Sequence, residues 1–297
     1  MKFTISLLLC IHFSLYGANF DHLTNTIQVA DTQSLFPYDL EIQAIKGKSD
    51  DEPVMICFHG YGSDKRVGRV VSSYPEISEH VVSFNFPDYQ IQPNTRDPHK
   101  TAFGSIDELL PALYALKKCV VDAGVDRVSL YGFSAGGGAV VNTIAVLNTE
   151  RFDSSLSKVG ITSTDKRAIL EAIQKGDVIL DCPLKSIDEI IAFRGHNREF
   201  DILRGRYRQN DLRPIDSLKH FENLSLNILV HFQVGDKALS NRDDDLFIQR
   251  LRLYNALGNT CAVTGNDGGH LSYHASLWKI YPEFRSEKCR NKCIQFN

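Results

Sequence analysis

The stretch that decides the fold is VSLYGFSAGGGAVV, residues 128–141. Val128 to Tyr131 form a short apolar run, which predicts a buried β-strand. The residues from Gly137 onward are small and apolar, which predicts a helix inside the core. Between them, Gly132-Phe133-Ser134-Ala135-Gly136 predicts a turn so tight that a Cβ on either glycine would meet neighbouring backbone. The pattern therefore predicts a strand, a sharp turn that carries one hydroxyl, and a helix.

The hydroxyl at the apex of this turn is a candidate nucleophile. A serine hydroxyl is weakly nucleophilic until a base takes its proton. The predicted turn raises Ser134 above the sheet, within reach of a base, and points the first N–H groups of the next helix at the group under attack. The alternative interpretation of the pentad is an ordinary glycine turn between a strand and a helix.

A second turn offers a further N–H group. Val54 to Phe58 predict a buried strand that runs into His59-Gly60-Tyr61-Gly62. The backbone N–H groups of Tyr61 and Ala135 form the candidate oxyanion hole, which would stabilise the negative charge that develops on an attacked carbonyl. We expect His59 to brace the loop, and an ordinary glycine turn is again the alternative.

Two later strand ends carry the candidate acid and base. Leu226 to Phe232 predict a strand followed by Gly235-Asp236, and Cys261 to Thr264 predict another followed by Gly268-Gly269-His270. A carboxylate just past a strand end can accept the Nδ1 proton of a histidine and hold its tautomer. Serine, acid, histidine is one of the few chain orders found in such triads. We therefore predict Ser134, Asp236 and His270 as the catalytic residues.

Other residues compete for the roles of acid and base. Asp181 follows an earlier predicted strand, and the choice between it and Asp236 as the acid stays open. The acidic run Asp243 to Asp245 is interpreted as charge at a helix N-terminus. His274 and His231 are the alternative bases, although a histidine inside a predicted strand, such as His231, is more often a hydrogen-bonded packing residue.

At these residues the chain resembles the α/β-hydrolase superfamily, from about Pro53 to Tyr281, and within it the short-capped branch. The resemblance implies an α/β-hydrolase fold, a mostly parallel sheet with helices on both faces, and a small cap, which we assign to the arginine-rich residues at about 187–220. It implies a triad but no particular substrate. Arg151 to Gly176 depart from the family pattern as an insertion, for which we predict an added helix from Lys166 to Lys175. The motifs that carry the resemblance are His59-Gly60-Tyr61-Gly62, Gly132-Phe133-Ser134-Ala135-Gly136, Gly235-Asp236 and Gly269-His270.

The composition fits one globular enzyme domain. The 297 residues are 43% hydrophobic and 23% charged, and the motifs spread from His59 to His270, so we expect a single domain over residues 19–297. The net charge of −3, without a basic stripe, argues against a nucleic-acid partner. No zinc, phosphate-loop or dinucleotide motif occurs, so we expect no metal and no cofactor, and a small-molecule or acyl substrate. The oligomeric state is left open.

Residues 1–18 differ from the rest of the chain. Lys2 precedes a run from Phe3 to Tyr16 that is almost free of charge, and Gly17-Ala18 provide small residues for cleavage. This pattern predicts a secretory signal peptide, because the run is too short to span a membrane comfortably. We therefore expect a secreted or periplasmic protein that has no stable membrane insertion once the signal is removed.

These motifs together predict a secreted or periplasmic serine hydrolase that cleaves carboxylic esters through an acyl-enzyme on Ser134. The same groups could serve a thioesterase, a peptidase or an acyltransferase. A non-catalytic binding protein that kept the fold and lost the chemistry is the alternative from another class. The presence of every expected group disfavours it.

Overall fold

A computed structural model describes residues 20–28, 40–50, 52–87, 102–236, 238–239, 244–266, 269–271, 275–286 and 293–295. Eight strands form one central sheet: β1 (Ile42–Ile45), β2 (Val54–Phe58), β3 (His80–Phe84), β4 (Val128–Phe133), β5 (Asp177–Asp181), β6 (Asn227–Gln233), β7 (Asn259–Gly265) and β8 (Cys293–Gln295). Their order across the sheet is β1-β3-β2-β4-β5-β6-β7-β8. Strand β1 runs antiparallel to β3, and all other neighbouring pairs are parallel.

Helices cover both faces of this sheet. Val54, Ile56 and Phe58 of β2 join one apolar core, whereas Met55 and Cys57 join a second core on the opposite face. This alternation follows from the two-residue period of a strand, and it confirms the predicted mostly parallel sheet with helices on both sides. The α-helices in the described residues are α1 (Phe20–Gln28), α2 (Val67–Ser72), α3 (Ile106–Lys117), α4 (Ala135–Leu147), α5 (Asp153–Leu156), α6 (Ser163–Lys175), α7 (Ile187–Arg194), α8 (Arg198–Asn210), α9 (Pro214–Ser217), α10 (Asp244–Tyr254) and α11 (Ala275–Arg285).

Helix α4 lies against the sheet more closely than side chains would allow. All of its residues are buried, as a helix that is apolar on every side requires. A Cβ added to Gly136 would lie 2.2 Å from the carbonyl oxygen of Phe58, and one added to Gly132 would lie 2.7 Å from the Cα of Gly137. Both distances are far below a van der Waals contact, so the predicted reason for the two glycines is confirmed.

The predicted helix in the insertion exists, but its predicted start is wrong. Helix α6 begins at Ser163 rather than at Lys166. Thr162 and Asp165 form a capping box, in which the Thr162 hydroxyl accepts the N–H of Asp165 and the Asp165 carboxylate accepts the N–H of Thr162. This box satisfies N–H groups that would otherwise lack partners, and it extends the helix toward its N-terminus.

The residues predicted as a cap, between β5 and β6, contain α7, α8 and α9. Three arginines of this segment contact one carboxylate, since Asp188 lies 3.7 Å from Arg204, 3.2 Å from Arg208 and 3.3 Å from Arg213. These ion pairs link α7 to α8 and to the residue before α9.

The predicted signal peptide, residues 1–18, lies outside the described residues. Within the described part of the chain, we find no helix with the length and apolar character needed to cross a membrane.

We predict that Gly136→Ala destabilises the protein, because its Cβ would overlap the Phe58 carbonyl at 2.2 Å. The expected loss in free energy of unfolding is about 1–3 kcal/mol, as for other overpacked positions. Gly205→Ala in α8 is the matched control, because nothing lies within 4 Å of its Cβ and alanine favours a helix. Urea unfolding of both variants checks this. Equal stability of the two variants would contradict the proposed close packing.

Candidate active site

Ser134 stands between strand β4 and helix α4 in a backbone conformation that a side chain rarely adopts. Its φ is 55° and its ψ is −120°. Backbone hydrogen bonds to the end of the neighbouring strand β5 and to the segment that follows it hold this conformation. The Ser134 N–H donates to the carbonyl oxygen of Asp181 at 2.9 Å, and the Ser134 carbonyl accepts the N–H of Leu184 at 2.8 Å. A strained residue persists only where its surroundings hold it, and such residues concentrate at functional sites.

The structure brings the side chains of Ser134, Asp236 and His270 together. The Nε2 of His270 lies 2.7 Å from the Oγ of Ser134. Its Nδ1 lies 2.7 Å from the Oδ2 of Asp236. Because an ionised carboxylate can only accept, we assign the ring proton to Nδ1, which leaves Nε2 free to accept the serine hydroxyl. The order of groups is therefore hydroxyl, imidazole, carboxylate, each in hydrogen-bond contact with the next.

Asp236 is held as an ion by its hydrogen bonds. Burial opposes its ionisation, but the bond from His270 and those from the N–H groups of Leu239 and Ala238 outweigh burial and lower its pKa. The two backbone N–H groups both reach Oδ1, at 2.7 Å from Ala238 and 3.0 Å from Leu239.

Asp181, the alternative acid, belongs to a different network. Its Oδ1 accepts from Nδ1 of His231 at 2.8 Å, and its Oδ2 accepts the Tyr131 hydroxyl at 3.0 Å. The Nε2 of His231 lies 2.8 Å from the hydroxyl of Ser276. Asp181 and His231 are completely buried, so His231 is a hydrogen-bonded core residue. The other alternative base, His274, lies outside the described residues.

The loop of the candidate oxyanion hole passes directly beside the serine. A Cβ on Gly60 would lie 3.3 Å from the Cβ of Ser134. The side chains of Tyr61 and Ala135 line the same cleft as Ser134 and His270. Ala135 is the first residue of α4, where backbone N–H groups have no acceptor within the helix.

His59 braces this loop, as expected, from inside the protein. Its Nδ1 donates to the carbonyl oxygen of Gly60 at 2.9 Å, and its Nε2 accepts the N–H of Phe86 at 3.1 Å. Burial lowers the pKa of His59 from 6.5 to about 4. The ring is therefore neutral at physiological pH, with both nitrogens occupied.

The cleft above Ser134 has a volume of about 300 Å³ and mostly apolar walls. Among its lining residues, the Tyr61 hydroxyl donates to a carboxylate oxygen of Glu199 in α8 at 2.5 Å. Sequence reasoning missed Glu199, because its partner is 138 residues away in the chain and a glutamate near the start of a helix carries no other signal. The residues that line the cleft are Tyr61, Phe103, Ser134, Ala135, Leu184, Ile187, Ile190, Arg194, Glu199, Phe200, Leu203, Ala238, Leu239 and His270.

We predict that the protein loses stability as the pH falls from 6.5 to about 4, because His59 is kept neutral in the native state. The unfolded chain binds a proton on this ring below pH 6.5, and the native chain does so only below about pH 4. The contribution of His59 to this loss is about 3 kcal/mol. Urea unfolding across this range measures the loss, which should be smaller in His59→Gln. An identical pH profile for that variant would contradict the assignment.

Neither a protein-family model nor a curated protein sequence matches the chain. Solved structures do match it. A carboxylesterase from Lactobacillus plantarum superposes with a TM-score of 0.55 at 15% identity, over 84% of this chain and 93% of that one. Esterase B from Lactobacillus rhamnosis superposes with a TM-score of 0.54 at 13% identity, over 90% of this chain and 92% of that one. An acylaminoacyl peptidase from Pyrococcus horikoshii gives 0.52 at 16% identity, over 85% of this chain but only 40% of the peptidase. With the strand order and the serine turn, these likenesses show that the chain has the α/β-hydrolase fold.

Proposed function

We propose that this protein is a serine hydrolase that cleaves carboxylic esters through an acyl-enzyme on Ser134. The observation that carries the proposal is the continuous contact from Ser134 to His270 to Asp236, at 2.7 Å in both steps, on the wall of a cleft. Two solved structures of similar fold are esterases, which supports the same choice.

In the proposed reaction, the Oγ of Ser134 attacks the ester carbonyl while its proton passes to Nε2 of His270. The carboxylate of Asp236 holds the ring in position and stabilises the imidazolium that forms. His270 then gives this proton to the leaving alcohol, and an ester between the acyl group and Ser134 remains. Water attacks that ester with His270 again as the base, which releases the acid and restores the serine.

The negative oxygen of each tetrahedral intermediate needs N–H donors. We assign this role to the backbone N–H groups of Tyr61 and Ala135, and each such donor contributes about 3–4 kcal/mol of transition-state stabilisation in comparable sites. The bond from Tyr61 to Glu199, at 2.5 Å, supports the loop that carries the first donor.

The cleft favours substrates with an apolar part. Seven of its lining side chains are large aliphatic or phenyl groups, and its volume of about 300 Å³ suits a small molecule rather than a folded protein. These large apolar side chains are Phe103, Leu184, Ile187, Ile190, Phe200, Leu203 and Leu239. We extend the proposal to export from the cell, on the basis of residues 1–18.

We predict that Ser134→Ala lowers the kcat for p-nitrophenyl esters by about four to six orders of magnitude without loss of folding. A fluorophosphonate probe should label the wild-type protein at Ser134 and leave the variant unlabelled, and mass spectrometry of the labelled peptide identifies the site. Full esterase activity in the variant, or a wild-type protein that neither labels nor hydrolyses, would overturn the proposal. The second result would favour a binding protein without catalysis.

We predict that substitution of Asp236 mainly lowers activity, whereas substitution of Asp181 mainly lowers stability. Asp236→Asn should lower kcat about 10⁴-fold, because the amide no longer accepts the Nδ1 proton and selects the wrong tautomer of His270. Asp181→Asn should lower the free energy of unfolding by about 1–3 kcal/mol, because it weakens a buried hydrogen-bond network, and should change kcat less than about tenfold. Ester hydrolysis and urea unfolding of both variants check this. A loss of kcat that is larger in Asp181→Asn than in Asp236→Asn would assign the role of the acid to Asp181.

A further inference from the structure

A thiol lies beside the proposed catalytic imidazole and carboxylate. The Sγ of Cys182 and ligand atoms of Asp236 and His270 all lie within 4.8 Å of one another. Thiolate, imidazole and carboxylate are the three side-chain ligand types that bind zinc, and three protein ligands leave a fourth position for water. Three ligand atoms within 4.8 Å of one another are near enough to reach one metal ion, which would enter between Asp236 and His270, now 2.7 Å apart.

The backbone fixes the position of this thiol. Cys182 follows β5 and has a φ of 45°, a conformation that disfavours residues with a side chain. Its N–H donates to the carbonyl oxygen of His231 at 2.9 Å, which anchors it to the neighbouring strand. Non-glycine residues held in this conformation concentrate at functional sites.

We propose that Cys182, Asp236 and His270 form a binding site for a zinc-like divalent cation, and that its occupation inhibits the enzyme. The proposed binding site depends only on the positions of these three residues. The inhibition rests on the proposed function, because it acts through the proposed base.

The inhibition follows from the proton on the imidazole ring. In the metal-free site, Nδ1 of His270 carries the proton and contacts Asp236 at 2.7 Å. A cation on Nδ1 displaces this proton, and a neutral ring then carries its single proton on Nε2. Nε2–H can only donate toward Ser134, so it no longer accepts the serine proton. One proton leaves from the Cys182 thiol, and one thiolate, one carboxylate and a neutral imidazole balance the double positive charge.

The same thiol belongs to a second possible set of metal ligands, which the cleft does not reach. The ligand atoms of Asp181, Cys182 and His231 also lie within 4.8 Å of one another. Asp181 and His231 have no exposed surface, whereas His270 lines the cleft and keeps 10% of its side chain exposed. Of the two groups, only the one with Asp236 and His270 includes a residue that lines the cleft, which assigns the site to this pair rather than to the inner one.

Cobalt(II) is the probe, because a thiolate bound to cobalt gives a charge-transfer absorption in the near ultraviolet. We expect the Ser134→Ala protein, titrated with cobalt(II), to develop this absorption at one equivalent. The absorption should be lost when Cys182→Ala is added. It should persist when Cys119→Ala is added, since that thiol is buried elsewhere in the core. Cys182→Ser, which keeps the side-chain volume, replaces the alanine variant if the latter does not fold.

Inhibition provides the second measurement. Zinc should inhibit ester hydrolysis by the wild-type protein, and Cys182→Ser should raise the half-inhibitory zinc concentration at least about tenfold, each protein compared with its own metal-free rate. The absence of a thiolate absorption, its persistence without Cys182, or equal zinc sensitivity of the two proteins would overturn the site. If no ester hydrolysis is found at all, the proposed function fails, and the cobalt titration still decides whether the cation binds.

Discussion

The direct contact between the start of helix α4 and the end of strand β2 is the constraint on which the rest of the site depends. Only a residue without a Cβ fits where Gly136 lies, 2.2 Å from the carbonyl oxygen of Phe58 when a Cβ is added. Ser134, with a φ of 55°, lies two residues before this contact, and the Gly60 loop, which follows β2, lies against it. The contact between Gly136 and Phe58 thus positions three parts of the site together. These parts are the nucleophile, the first N–H groups of α4 and the loop of the candidate oxyanion hole.

Sequence alone could predict the elements of this site because parallel strands end at the same edge of a sheet. Ser134, Asp236 and His270 follow the carboxyl ends of β4, β6 and β7, so the topology carries them to one edge whatever the length of the chain between them. The predicted start of the helix in the insertion is wrong, because the capping box of Thr162 and Asp165 begins the helix at Ser163.

The sequence leaves the choice of the acid open between Asp236 and Asp181. Asp181 is the last residue of β5 and Asp236 follows β6, and only the three-dimensional neighbours distinguish them. In the register of β5 and β6, Asp181 stands directly beside His231, and their side chains bond inside the core. The contact of Tyr61 with Glu199 depends in the same way on how α8 packs relative to the sheet, which local helix and strand propensities do not determine.

The protein contains a second chain of hydroxyl, imidazole and carboxylate, and it shows why geometry alone does not make a nucleophile. Ser276, His231 and Asp181 repeat the contacts of the proposed triad, at 2.8 Å in both steps. Their surroundings differ, because this second chain is sealed in the core, where no ester can reach the hydroxyl and no water can complete a turnover. Its hydrogen bonds instead join β5, β6 and α11, and α11 begins just after the loop of His270. Buried polar groups whose hydrogen bonds are all satisfied make a core rigid. The hydrogen bonds among Ser276, His231 and Asp181 can therefore hold in place the strands and loops that carry the proposed triad.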